Sequence, residues 1–208
     1  MSTLLVLYAS VRNSGSVTRS LTADFLEDWA KQNPDAKIQT RDLGAEPVDG
    51  PDADWTTANA KLESDRTETD LAKLATSEDL VQELREADRI VLASPMYNFG
   101  TPWTLKTYID NIVRKDRTFS FSPDAGFSPL LDTQKKMLMI SASAGTYEKD
   151  SPFSAFNFLL PYVQTVFSFM GITDFTSVSA PNQWADEETQ NTSMENARSK
   201  LAILAHSW

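Results

Sequence analysis

The stretch Ile90–Arg114, IVLASPMYNFGTPWTLKTYIDNIVR, decides the reading of the fold. Its first residues, Ile90 to Ala93, are uniformly apolar and run into Ser94-Pro95, the pattern of a short strand buried on both faces of a parallel sheet. Thr101-Pro102 then opens a segment with Leu105, Tyr108, Ile109 and Ile112 at helical spacing. The loop between strand and helix therefore leaves the carboxyl end of its strand, where open α/β sheets bind ligands. Pro95, Met96, Tyr97, Asn98 and Phe99 crowd a proline, two aromatics, a thioether and an amide into that loop. The set suits a flat, partly polar ligand.

Outward from this stretch the same alternation recurs. Leu4 to Tyr8 is a continuous apolar run, followed by Thr18, Leu21, Phe25 and Trp29 at helical spacing up to a stop at Asn33-Pro34. Lys37 to Asp42 reads as a more polar edge strand, and Leu43 to about Thr76, with Pro47 and Pro51, as an excursion containing some helix. Ser77 to Ala87 is expected to be helical, with Leu80 and Leu84 on one face. Lys136 to Ser141 is a further buried strand after a Gly/Pro-containing loop from Ser122 to Pro129. Pro152 to Met170 is apolar nearly all round and is expected to form a buried or interface helix. Asp174 to Ser179 and a last helix marked by Met194, Ala197, Leu201 and Leu204 close the chain.

Strands alternating with helices imply βαβ units. The expected architecture is α/β: a single domain over residues 1–208, a flavodoxin-like three-layer sandwich with a five-stranded parallel sheet in the order 2-1-3-4-5. In that order the crevice opens between strands 1 and 3, so the loops after Tyr8 and after Ser94 border one site.

Composition narrows the class of ligand. The 19 basic and 29 acidic residues leave a net charge of −10, which argues against nucleic acid and anionic membrane as partners. The chain has no cysteine, which removes disulfides, thiolate metal sites and a cysteine nucleophile. MSTLLVLYAS lacks the basic region and cleavage site of a signal peptide, and no apolar run approaches the roughly 18 residues of a membrane helix. The expected location is cytoplasmic.

The first loop, Ala9 to Arg19, offers Ser10, Ser16 and Thr18 hydroxyls and the free N–H groups of a helix start, with Gly15 allowing close approach. One reading is a cradle for a phosphate; the other is an ordinary serine N-cap. It is neither a Walker A loop nor a GxGxxG fingerprint. Met96 and Phe99 either plug the top of the core or form a platform for a planar ring. Ser141 to Gly145 approaches the same crevice from the other side. The one histidine, His206, lies near the C-terminus, and no His/Asp/Glu cluster has metal-ligand spacing. No metal site is expected. A phosphate cradle and a ring platform without acid–base residues point to a bound cofactor that carries the reaction.

At these residues the sequence resembles the FMN-dependent NADH azoreductases, a branch of the flavodoxin-like NAD(P)H:quinone oxidoreductases. The resemblance rests on the serine loop, Arg41-Asp42-Leu43, Pro95-Met96-Tyr97-Asn98-Phe99, Leu105-Lys106, Thr118-Phe119, Pro161-Tyr162 and Gly171-Ile172-Thr173-Asp174. It implies a homodimer that binds FMN, takes two electrons from NADH or NADPH, and gives them by a ping-pong scheme to a quinone or azo acceptor. Carried over, Ser10, Ser16, Val17 and Thr18 hold the phosphate, Pro95, Met96, Tyr97, Asn98 and Phe99 line the flavin, and Ser143 and Gly145 meet its edge. Phe119 and Phe121 help wall the substrate space, and the helix expected from Pro152, with Phe153 and Phe156, covers it from the partner subunit. The chain departs from the family where Ser143-Ala144-Gly145-Thr146 replaces Ser-Arg-Gly-Gly, and in a longer Asp150–Pro161 segment. The rival readings are an electron carrier on the same fold without NAD(P)H reductase activity, and a cradle for another phosphate ligand beside a partner-binding surface.

Overall fold

The strand Thr3–Tyr8, β1, is an interior strand of a sheet, and its side chains divide between two cores as the pleat requires. Leu5 and Leu7 enter one apolar cluster, Leu4 and Val6 the other. The same division holds in β3 (Arg89–Pro95), with Ile90 and Leu92 opposed to Val91, and in β6 (Lys136–Ala142), with Met137 and Met139 opposed to Leu138 and Ile140. Each such fully buried side chain contributes roughly 1.5–3 kcal/mol. Strands apolar on both faces need helices on both faces, and the computed structural model, which describes residues 2–208, supplies them.

On one side lie α1 (Val17–Gln32), through Leu21, Phe25 and Trp29, and α6 (Glu187–Ser207), through Ala197, Leu201 and Ala205. On the other lie α3 (Glu68–Glu86), α4 (Trp103–Ile112) and α5 (Leu160–Met170). With β2 (Lys37–Asp42) and β7 (Asp174–Ala180) at its edges, the sheet has five strands ordered β2-β1-β3-β6-β7, all neighbours parallel. Numbered by the sheet alone this is 2-1-3-4-5, the expected order, and its reversal beside β1 sets the crevice between β1 and β3.

The excursion after β2 folds into α2 (Ala53–Ala60) and the first turns of α3, which starts at Glu68, well before the expected Ser77. Thr67 and Asp70 form a reciprocal capping box there. Fully buried Arg114 fastens this insert, donating to Asn59 Oδ1 at 2.9 Å and Ser77 Oγ at 3.1 Å and pairing with Glu78 at 2.9 Å.

Two expectations are corrected. The helix expected from Pro152 begins at Leu160, with Pro161 in its first turn; Phe153, Phe156 and Phe158 precede it in turns and a short 3-10 segment. They are exposed by 56%, 47% and 61%, so the run fills no helix core; Phe153 and Phe156 line a surface hollow instead. The loop expected from Ser122 to Pro129 is largely a hairpin of β4 (Phe119–Ser122) and β5 (Gly126–Pro129), whose alternating Phe and Ser put Phe119, Phe121 and Phe127 together.

Candidate active site

A row of backbone hydrogen bonds runs along the carboxyl rim of the sheet. Just past its strand, each chain segment donates to the next strand: Gly44 N–H to Tyr8 O (3.2 Å), Ala9 to Ala93 (2.9 Å), Met96 to Ala142 (2.8 Å) and Ser143 to Ala180 (3.3 Å). Three loops that start on this row, after β1, β3 and β6, enclose a cleft of about 230 Å³.

The β1–α1 loop forms one end of the cleft with Ser10, Arg12, Ser16, Val17 and Thr18. Ser16 stands at the N-cap of α1, yet its side chain makes no capping bond; its hydroxyl lies 3.4 Å from that of Thr18. Ser10 and Thr18 are buried, each 1% exposed. A serine N-cap normally satisfies an amide of its own helix. This one leaves hydroxyl and amide donors open at the positive end of a sixteen-residue helix. Gly15, at φ 65°, supplies the left-handed residue that turns the loop into the helix. Exposed Arg12 adds a local cation against the net negative charge.

The β3–α4 loop forms one long wall with Pro95, Met96 and Tyr97. Tyr97 and Gly100 then exchange backbone hydrogen bonds at 3.1 and 2.9 Å around a two-residue turn in which Asn98 (φ 47°) and Phe99 (φ 69°) are both left-handed. Asparagine tolerates that conformation; a phenylalanine there is strained. Exposed Asn98 is the tip of the turn, and Phe99 leans away from the cleft into an adjoining hollow, with its ring 5.3 Å from Phe156 and 5.8 Å from Tyr147.

The opposite wall is Ala142, Ser143 and Ala144. The Ser143 hydroxyl donates to Gly145 O at 2.7 Å, so it shapes its own loop, while Gly145 borders the hollow and not the cleft. Gln183 and Trp184 complete this wall; their amides donate to Ser143 O (3.0 Å) and Ala144 O (3.2 Å). These residues of the β7–α6 loop were missed in the sequence, although Pro181-Asn182 marks a turn at a fifth strand end.

The adjoining hollow, about 620 Å³, is mostly apolar and lined by Phe99, Tyr147, Pro152, Phe153 and Phe156. It meets the cleft along the Ser143–Gly145 segment. Thus Phe153 and Phe156 stand beside the cleft, whereas Phe119 and Phe121 lie in a separate aromatic group with Phe127 and Phe169 of α5.

One ion pair stands behind the first loop. Both terminal nitrogens of Arg19 reach Asp42 at 2.6 Å, and Nη2 also donates to Ser10 O at 2.8 Å. The bond with Arg19 holds the Asp42 carboxyl below the usual carboxylate range, and the same bond raises Arg19.

Comparison with known proteins places the chain in a family. The family model described as flavodoxin-like fold matches residues 2–204. The chain belongs to that family. Relatives within the flavodoxin-like fold family include an FMN-dependent NADH:quinone oxidoreductase 2 of Trichormus variabilis, 34% identical with all of both chains covered. Another is the FMN-dependent NADH:quinone oxidoreductase of Azotobacter vinelandii, 37% identical over 99% of this chain and 100% of that one. Among solved structures, an azoreductase from Bacillus anthracis str. Sterne superposes with a TM-score of 0.91 over all of both chains at 24% identity, a likeness of fold. An FMN-dependent NADH-azoreductase from Bacillus anthracis str. Ames Ancestor, solved in complex with FMN, gives 0.85 at 25% identity, covering 99% of this chain and 100% of that one.

Proposed function

We propose that this chain is an FMN-dependent NAD(P)H oxidoreductase acting on quinones or azo compounds. The observation that carries the reading is the Ser16 N-cap that does not cap its helix, beside buried Ser10 and Thr18. Hydroxyls and amides left open at a positive helix end suit a phosphate. In this reading Ser10, Ser16, Val17 and Thr18 hold the phosphate of FMN. Pro95, Met96, Tyr97, Asn98 and Phe99 would line the flavin, and Ser143 and Gly145 would meet its edge. Bound there, FMN supplies two-electron redox chemistry between NADH or NADPH and the acceptor.

The protein's part is to orient and to exclude water. The apolar hollow beside the cleft, walled by Phe153 and Phe156, would seat a flat, poorly hydrated acceptor next to the ring. Phe119 and Phe121 would reach that space only from the second subunit of a homodimer. The exposed Phe121, Phe127 and Leu130 give their hairpin an uncovered apolar face that supports such pairing. Among the described residues no helix is long and apolar enough to cross a membrane; a cytoplasmic location is part of the proposal.

The test is direct. Purified protein should show a visible flavin spectrum after FMN loading, bleach on addition of NADH or NADPH under argon, and recover on addition of menadione. Failure to bind flavin sinks the reading. A flavin that neither nucleotide reduces leaves only an electron carrier. Size-exclusion chromatography should give about twice the monomer mass of 23.2 kDa.

A further inference from the structure

Arg19 does not itself line the cleft, yet its side chain is heavily engaged directly behind the Ser10 end of it. Its guanidinium binds both oxygens of Asp42 at 2.6 Å, donates to the Ser10 carbonyl at 2.8 Å, and lies 4.9 Å from the centre of the Tyr8 ring. Asp42 Oδ1 in turn accepts the amides of Gly44 (3.1 Å) and Ala45 (2.9 Å), which close the turn at the β2 exit. Gly44 packs so tightly there that a Cβ would stand 1.9 Å from the Ser10 carbonyl oxygen. Ser10 is thus gripped from behind by a guanidinium and by a backbone that only glycine permits.

We propose that Arg19, Asp42 and Gly44 act as a clamp that fixes the Ser10 end of the phosphate cradle, with Arg19 a positioning residue for the FMN phosphate and not a phosphate ligand. The inference rests on the cradle assignment above. Arg19's charge is already matched by Asp42 at bidentate distance, so it offers the phosphate little net attraction; what it fixes is the direction of the Ser10 carbonyl and hence the place of the Ser10 hydroxyl. A supporting shell of this kind sets how closely a site's donors converge on their ligand. Lysine cannot replace it, because a single ammonium does not span both Asp42 oxygens and the Ser10 carbonyl together.

Dissociation constants for FMN and for riboflavin, which lacks the phosphate, measured by fluorescence quenching on the same apoproteins, test the clamp. The parent should prefer FMN. Arg19→Lys, Asp42→Asn and Gly44→Ala should each weaken FMN roughly tenfold while moving riboflavin less than about twofold. Arg19→Lys keeps the charge and Gly44→Ala alters none, so a shared loss of discrimination identifies geometry as the cause. Retained preference for FMN in all three variants would overturn the clamp. So would full rescue by lysine, which would make charge the operative quantity, or an equal loss of both ligands, which would mark a general structural defect. A parent that binds both ligands equally would instead overturn the cradle assignment itself.

Discussion

The backbone N–H of Phe158 donates to the carbonyl oxygen of Phe99 at 3.0 Å. This bond ties the turn at the end of β3 to the segment before α5, and it lies beside the stack of Phe99 on Phe156. A left-handed phenylalanine costs of order 1–3 kcal/mol, and these contacts hold it in place.

Replacing that phenylalanine separates binding from folding. Phe99→Gly releases the strain but gives up the aromatic contacts, so unfolding free energy should change by less than about 1 kcal/mol. The KM for an apolar quinone should rise severalfold. A urea titration showing a loss above about 2 kcal/mol would mean that Phe99 is a core residue and its strain incidental.

The same logic applies to Phe153 and Phe156, whose rings are about half exposed. Phe153→Ala and Phe156→Ala should leave the melting temperature nearly unchanged, within about 0.5 kcal/mol of parent stability. Acceptor KM should rise while FMN affinity holds. An unchanged KM for menadione in the double variant would remove the hollow from the reaction.

For the cradle, Ser16→Asp is informative because its two effects oppose each other. An aspartate N-cap should hold the stability of the apoprotein or raise it, by up to about 1 kcal/mol. Set against a phosphate, the same charge should weaken FMN retention. Equal FMN retention in variant and parent after gel filtration would contradict the assignment.

Acid should expose the carboxylates that fasten the loops. Asp42 is held below the usual range chiefly by its bond with Arg19, and Asp70 is lowered to about 2 chiefly by Lys61. A carboxylate with a depressed folded pKa stabilises the fold above its unfolded pKa and loses that contribution as pH falls through the folded value. Denaturant midpoints should therefore begin to fall from these groups below about pH 4. The fall should be shallower in Asp42→Asn and Asp70→Asn, because asparagine has no proton to take up. Parallel pH profiles for parent and variants would refute it.

What was legible in the chain follows from range of interaction. Leu4 to Leu7, Ile90 to Ala93 and Met137 to Ile140 declare buried strands because burial on both faces leaves no room for a polar residue. With helices between them the order of the sheet follows, and with it the pairing of the Ser10 and Met96 loops across one crevice. The Pro152 segment misled because an aromatic run that roofs a hollow has the composition of one that fills a core. The hairpin's Phe-Ser alternation from Phe119 to Ser122 was present but hidden among Gly and Pro. Neither the Arg19–Asp42 clamp nor the Gln183–Trp184 wall could be read from spacing. Their partners lie 23 residues or more away, and only folding brings them together.

The row of hydrogen bonds along the rim from Gly44 to Ser143 gives the cleft a floor, and the turns over the neighbouring hollow run on a different clock. Those four amides belong to the sheet's own ladder, so in hydrogen–deuterium exchange Ala9 and Met96 should open only with global unfolding. Amides between Glu148 and Asn157, mostly in turns over the hollow, should exchange by local opening. The cofactor would then meet a surface already set, with little ordering left to do, while the acceptor enters beneath a cover that yields. One protein would hold one guest tightly and admit a variety of others.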